Sequence, residues 1–419
     1  MLVSQSKKDD FKSSQNSYVF GTSLSKIKDF RINRRMKFDL TEVIQVAVCA
    51  VLSGADNWNE IESFARAKEL WLKKFLKLKS GIPSHDTFRR VFSELAPQEL
   101  EQIFEVWVMA LVNFNMHQQI AIDGKSLRGS HDGKTDPVHI VSAFLPDSNL
   151  VLAQERVPKK QNELEAIYRL LNRLPVAGHT ITIDALGCQA SVVSSILAAK
   201  ANYLLALKRN QIATYDEASA AFFKLPPQTG RVLDIDDKFD ESHGRTVRRT
   251  TRVIRNLRWF KAKERWPDLG SLIQVESIRK IRRTNIVAHE RRFFISNLKA
   301  TATEFQKMIR CHWGVENNLH WALDVSFKED QSRIRFKNSA ENFSLLRRLS
   351  LNLIRSQADA SSGILSTRRR AGWDEKFLEN LVLQRMPKHL TTESLLGSLK
   401  ISDLFLSPAS YKEWSESIL

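Results

Sequence analysis

The sequence predicts an α/β protein: a mixed five-stranded sheet flanked by helices, preceded by a helical domain and interrupted by a β-rich insertion. Three observations carry that expectation. Apolar residues recur at three- and four-residue spacing as far as about Val112. From His117 they gather into short runs separated by turns. Between residues 209 and 290 a stretch rich in Thr, Val, Ile and Arg replaces both patterns. A chain of 419 residues has room for two or three domains, and 42% hydrophobic content supports a sizeable core.

Residues 1–23 are Ser-, Lys- and Gln-rich and are expected to be disordered. Met1 to Ser25 lacks the apolar core of a signal peptide. The longest apolar stretch, Val43 to Leu52, contains Gln45 and is too short to span a bilayer, so no membrane partner is expected. Asp39–Leu40–Thr41 caps a helix running to Leu52, which Gly54 ends. Trp58, Ile61, Phe64, Ala65 and Lys68 share one helix face. Gly81–Ile82–Pro83–Ser84 is a turn; Ser84 to Thr87 caps a helix through Phe92, and Pro97 opens another to about Asn113. A helical domain over 24–115 follows.

The second domain is drawn over 116–383. Its strands are Gln118–Asp123, Val138–Phe144, Leu150–Val157, His179–Asp184 and Tyr203–Leu207, with helices Asn162–Leu174 and Ser191–Lys200 between them. The insertion is placed at about 209–296, with Arg245–Arg255 and Leu272–Ile281 as strands. One long helix is expected from Ala302 to about Phe327, another over Glu341–Gln357, and a last over Trp373–Leu383 after the basic Thr367–Arg370. The tail, 384–419, offers no motif.

Asp123 and Asp184 each end an apolar strand, and Glu316 lies on the expected long helix. Two carboxylates at strand ends and a third on a helix can converge on Mg²⁺ or Mn²⁺, which suit hard oxygen ligands and align a nucleophile with a phosphodiester. The convergence requires the first and fourth strands to be neighbours. Each Asp can equally be a cap or turn former. His312, Glu316, His320 and Asp324 follow at four-residue spacing along one helix stripe. That stripe admits a zinc site, although His-Glu-x-x-His is absent, and it admits a solvated polar face. The reading adopted has Glu316 on the metal, with His312 and His320 flanking the site or contacting phosphate. Trp313 and Trp321 are expected to pack against the sheet.

The net charge of +17 favours a polyanion, above all nucleic acid, over a merely basic surface. Glu241–Arg292 holds fifteen Lys/Arg against five Asp/Glu. His243–Gly244–Arg245 opens a run with Arg248, Arg249, Arg252, Arg255 and Arg258. Its density favours phosphate contact over a solvated sheet edge. Lys125 and Arg128 follow Asp123, and Lys208 and Arg209 follow the fifth strand; all four are candidate DNA contacts. Cys49, Cys188 and Cys311 form no close pair, so neither a zinc ribbon nor a disulfide framework is indicated; that usage suits a reducing cytoplasm, and with the basic charge a cytoplasmic, nucleoid-associated protein is expected.

These motifs resemble the bacterial insertion-sequence transposases of the DDE class, in the branch of the H-repeat-associated proteins linked to Rhs elements. The matching segments run in order: Gly81–Ile82–Pro83–Ser84–His85–Asp86–Thr87–Phe88, Ala121–Ile122–Asp123–Gly124–Lys125, Lys160–Gln161–Asn162–Glu163, Thr182–Ile183–Asp184–Ala185, Tyr203 to Lys208, His243–Gly244–Arg245 and His312 to Val325. The resemblance implies an RNase H-like core, a transposase-associated helical domain, and Asp123, Asp184 and Glu316 as the catalytic, Mg²⁺-binding triad. It implies DNA cleavage at the element's terminal inverted repeats and joining to a target, usually by a homo-oligomer. The Tyr-x2-Arg-x3-Glu-x6-Lys pattern of related transposases is not kept: Ile309, His312 and Leu323 stand at its Tyr, Arg and Lys positions. Val247 stands where the branch usually has an acid. A domesticated DNA-binding relic and an RNase H-like nuclease without strand transfer are the competing readings.

Overall fold

The computed structural model describes residues 24, 27–31, 36–112, 117–131, 133, 136–157, 163–223, 233–242, 245–281, 287–357 and 363–382. The segment 1–23 and the tail 384–419 lie outside the described residues. By contacts the chain separates into two compact units. One holds the described residues up to Val112, those of 128–135 and those from Leu323 onward; the other holds residues 117–127 and 136–322.

The first unit is helical. Helix Leu40–Leu52 starts where the Asp39 carboxylate accepts the Glu42 N–H at 3.1 Å, and it ends at Ser53 before Gly54, whose φ is +108°. Asn57 caps Trp58–Ala67, Ser84 caps His85–Glu94, and Pro97 opens Pro97–Leu111. The linear boundaries drawn from sequence differ here. Helix Ser339–Gln357 belongs to this unit and packs against Leu40–Leu52, Pro97–Leu111 and His85–Glu94. Polar groups tie it in. Asn342 Nδ2 donates to the carbonyls of Phe92 and Leu95 at 2.8 and 2.9 Å, satisfying acceptors at the end of His85–Glu94. Arg368, on helix Ile364–Trp373, does the same for Leu40–Leu52: its guanidinium reaches the Val51 carbonyl at 2.9 Å and Asp56 at 3.0 Å. The expected last helix is therefore two, Ile364–Trp373 and Glu375–Val382, with the basic Thr367–Arg370 inside the first.

The second unit is built on one sheet. Its strands are β1 Gln119–Ser126, β2 His139–Leu145, β3 Leu150–Val157, β4 Thr180–Ile183, β5 Asn202–Leu207, β6 Leu233–Ser242, β7 Arg245–Ile254, β8 Ser271–Ile281 and β9 Val287–Ser296. The order is β3-β2-β1-β4-β5-β9-β8-β7-β6. β1, β4 and β5 run parallel and the other pairings are antiparallel. The five expected strands form one half. The five-stranded sheet is corrected to nine, because Phe293–Ser296 of β9 pairs with Leu204–Leu207 of β5 and so carries the insertion on as the same sheet. β6 was not anticipated. Its acidic sequence pairs with the basic β7: Asp237 meets Arg248 at 2.6 Å and Asp240 meets Arg249 at 2.5 Å.

Helix Ala302–His312 lies on this sheet. A capping box between Thr301 and Glu304 starts it. Its Ala302, Phe305 and Ile309 bury against Leu204, Val253, Ile273, Val275 and Phe294. That contact fixes where the residues beyond His312 emerge. Among the described residues, no helix is long and apolar enough to cross a membrane.

Candidate active site

β1 and β4 are parallel neighbours, with Ile122 opposite Ile183. Asp123 and Asp184 are thus the next residues of two adjacent strands. Asp123 Oδ1 accepts its neighbour's N–H, from Gly124, at 2.9 Å; Asp184 Oδ1 accepts from Leu186 N–H at 2.9 Å and caps a short 3₁₀ turn. Gly124 has no room for a side chain. An added Cβ would sit 2.6 Å from His139 Nε2 and 3.1 Å from Glu163 Oε1. His139 is held between Ser126 Oγ at 2.8 Å and Glu163 at 2.6 Å. This gives Glu163, noted in the sequence without a role, a place behind the strand that bears Asp123.

The expected continuous helix Ala302–Phe327 is broken. The α-helix stops at His312, a π-helical segment covers Val315–His320, and Trp321–Ser326 resumes the α form. The Trp313 carbonyl is shared: Asn317 N–H and Asn317 Nδ2 lie 3.4 and 3.3 Å from it. A side chain entering the ladder this way loosens the regular turn, and π turns are common at functional sites. Across this wide turn His320 Nδ1 lies 3.3 Å from Glu316 Oε2 and 3.8 Å from Asp123 Oδ2. Asp123, Glu316 and His320 each offer a ligand atom within 4.8 Å of the others. Asp184 is outside that tight group but lines the same cavity, of about 510 Å³, as Asp123 and Glu316.

Burial pushes the Asp123 carboxyl up to about 6; the charges of Glu316 and Asp184 add to this, and those of His320 and the Gly124 N–H oppose it. Glu316 is held below the usual carboxylate range, first by its hydrogen bond with His320 and also by the charge of Lys125. Burial pushes His312 down to about 4. Two carboxylates and an imidazole around a partly buried, mutually repelling group fit a divalent cation.

The other expected contacts divide. Lys208 and Arg209 are exposed and line the cavity, as does His312. Lys125 is buried on β1. Arg128 belongs to the first unit, where it lies 3.4 Å from Asp330. Arg248, Arg249 and Arg252 all have carboxylate partners, the last in Glu276 at 2.9 Å, so part of the basic run is neutralised by its neighbours. His243 and the Arg245 side chain lie outside the described residues. Trp313 and Trp321 do not pack away against the sheet as expected: they are 40% and 60% exposed, and the Arg292 guanidinium lies 4.5 Å from the Trp313 ring centroid.

Sequence reasoning missed Gln119 and Thr182, buried polar residues that hydrogen-bond one another beneath His312. Period-two alternation puts them on the strand faces of Asp123 and Asp184, a signal that could have found them. It also missed Arg292 and Tyr215, which line the cavity.

Residues 115–353 match the family model described as "Transposase DDE domain", and residues 22–108 the one described as "DDE_Tnp_1-associated". The chain is 36% identical over 364 residues to "Putative transposase YncI" of Escherichia coli O157:H7, covering 86% of this chain and 93% of that protein. It is 34% identical over 371 residues to "H repeat-associated putative transposase YhhI" of Escherichia coli strain K12, covering 86% and 96%. A chain of the solved "Cryo-EM structure of piggyBac transposase synaptic complex with hairpin DNA (SNHP)" aligns at 9% identity with a TM-score of 0.41, over 93% of this chain and 82% of that one.

Proposed function

Because the chain belongs to the transposase DDE family, with H-repeat-associated relatives, we propose that it cuts DNA at the ends of a mobile element and joins the freed ends to a target, with Asp123, Asp184 and Glu316 as its catalytic carboxylates. The observation that carries this reading is the meeting of Asp123 with Glu316, 193 positions apart, beside Asp184 in one cavity. We read the β3-β2-β1-β4-β5 half of the sheet as an RNase H-like core.

Asp123, Asp184 and Glu316 would hold Mg²⁺ or Mn²⁺, with His320 beside them. Bound there, divalent ions supply Lewis-acid charge at the attacking and leaving oxygens. The protein's own part is placement. β1 and β4 set two carboxylates side by side, and the π turn brings Glu316 over them. Lys208 and Arg209 give the cavity the positive rim that a phosphodiester backbone needs. In hydrolysis a water oxygen attacks phosphorus and the bond to the 3′ oxygen breaks, leaving a 3′ hydroxyl and a 5′ phosphate. In joining, that 3′ hydroxyl oxygen attacks a target phosphorus, the bond from that phosphorus to the target's own 3′ oxygen breaks, and the target strand leaves with a 3′ hydroxyl. One phosphodiester replaces another, so no external energy source is needed. Holding two element ends together calls for more than one copy of the chain, so the partner set is DNA and a homo-oligomer.

The test is Mg²⁺-dependent nicking of DNA carrying the element ends, with EDTA as control and a product assay for joined strands. Asp123→Ala is expected to abolish cleavage with DNA binding retained; retained cleavage overturns the site. Cleavage without joined product favours a nuclease, and salt-sensitive binding without nicking favours a domesticated binder.

A further inference from the structure

Gln119 Nε2 lies 3.0 Å from the Met308 carbonyl oxygen and 3.0 Å from Thr182 Oγ1. A carbonyl oxygen only accepts, so the amide nitrogen must be the donor there, and the side-chain amide has one orientation. The same NH₂ group then donates to Thr182 Oγ1. Thr182 Oγ1 is also 3.0 Å from His312 Nδ1. Gln119 fills one of the hydroxyl's two lone pairs and offers it no acceptor, so among the described residues His312 Nδ1 is the partner left for the Thr182 hydrogen. His312 Nδ1 is therefore an acceptor, and the neutral ring carries its proton on Nε2. Gln119 and Thr182 are both buried, so the chain of donors is shielded from water. The ring itself lines the cavity with Asp123, Asp184 and Glu316.

We propose that Gln119 and Thr182 are positioning residues that lock His312 as a neutral Nε2–H donor for a phosphate oxygen of the DNA in that cavity. The identity of the acceptor rests on the function proposed above; the locked tautomer does not. Burial, which pushes His312 down to about 4, keeps the ring uncharged. The assignment removes His312 from the roles of Nδ1 metal ligand and of general base. It also gives this site a donor whose contribution, unlike that of Lys208 or Arg209, is insensitive to salt.

The experiment uses the full chain with ¹⁵N-labelled imidazoles and long-range ¹H–¹⁵N correlation at neutral pH. The His312 signal is assigned by its loss in His312→Gln. Wild type is expected to show the Nε2–H pattern, Thr182→Ser to keep it, and Thr182→Val to show a mixture of tautomers. Gln119→Met provides a second route to the same mixture should Thr182→Val fold poorly. A short DNA duplex added with Ca²⁺ is expected to move the Nε2–H resonance. In single-turnover nicking with Mg²⁺, Thr182→Val is expected to slow cleavage roughly tenfold, less than the about 10²-fold loss on removing a preorganised donor outright, with Thr182→Ser restoring the rate. An Nδ1–H ring in wild type, or a pure Nε2–H pattern in both Thr182→Val and Gln119→Met, overturns the positioning role. An Nε2–H resonance unmoved by bound duplex overturns the phosphate contact. Absent nicking by a wild type with the expected tautomer counts against the proposed function alone.

Discussion

Ile122 and Ile183 stand opposite each other in the parallel pairing of β1 with β4, and an aspartate follows each of them. That register makes Asp123 and Asp184 neighbours at the same edge level of the sheet. Asp123→Asn and Asp184→Asn preserve shape and hydrogen-bonding reach while removing charge. Each is expected to lower metal-dependent nicking by about 10²-fold or more, with unchanged circular dichroism and DNA affinity. Full activity in either variant would remove that residue from the site.

Asp123 has a folded pKa of about 6 against an ordinary value of 3.8. Between those values the folded protein holds a proton that the unfolded chain has released, so this group's contribution to stability falls as pH rises through that window. A cation must displace that proton to bind. Mn²⁺ affinity measured by calorimetry is expected to be level above pH 7 and to weaken about tenfold per pH unit below about 6, with the dependence lost in Asp123→Asn. A flat profile in wild type would separate Asp123 from the cation.

His320 lies within 4 Å of both Asp123 and Glu316. His320→Gln should weaken Mn²⁺ binding about 10- to 100-fold, whether the ring ligates or orients the carboxylates. Loss of the ¹⁴N coupling to bound Mn²⁺ in pulsed electron paramagnetic resonance would identify direct ligation. Unchanged Mn²⁺ affinity would assign His320 to structure only.

Lys208 and Arg209 are exposed on the cavity rim, whereas Arg252 is paired with Glu276. Lys208→Ala and Arg209→Ala are each expected to reduce the slope of log K against log salt by about 1, and Arg252→Ala by less. Equal slopes for all three would show that the ion pairs of the insertion open on DNA.

Glu329 and Arg348 form a fully buried ion pair at 3.0 Å. Glu329→Gln removes this carboxylate charge from beside a buried guanidinium and is expected to cost about 3–5 kcal/mol in denaturant unfolding. A loss below about 1 kcal/mol would mean that neighbouring groups such as Ser344 satisfy the Arg348 charge.

Much of the second unit was legible because its signals are local. β3 was read to its exact residues, and β1, β2, β4 and β5 within a residue or a few at each end. β6 was missed because Leu233–Ser242 is acidic and poor in strand formers; its place depends on Arg248 and Arg249 across the ladder. A helix was expected over Glu341–Gln357, but its partners were not, since Arg347 and Arg348 are buried where arginine ordinarily stays at the surface.

By itself the sequence determined which residues could do metal and phosphate chemistry, and that Asp123 and Asp184 each follow a short apolar run, because strand period and residue type are local properties of the chain. Asp184 directly follows the last residue of β4, whereas β1 continues past Asp123 to Ser126. Only the tertiary structure decided that β4 lies beside β1, that a π turn interrupts the helix and brings His320 to Asp123 and Glu316, and that Gln119 and Thr182 orient His312. Those relations join residues far apart along the chain. They depend on strand order and on which carbonyl each donor finds, and no local pattern specifies either.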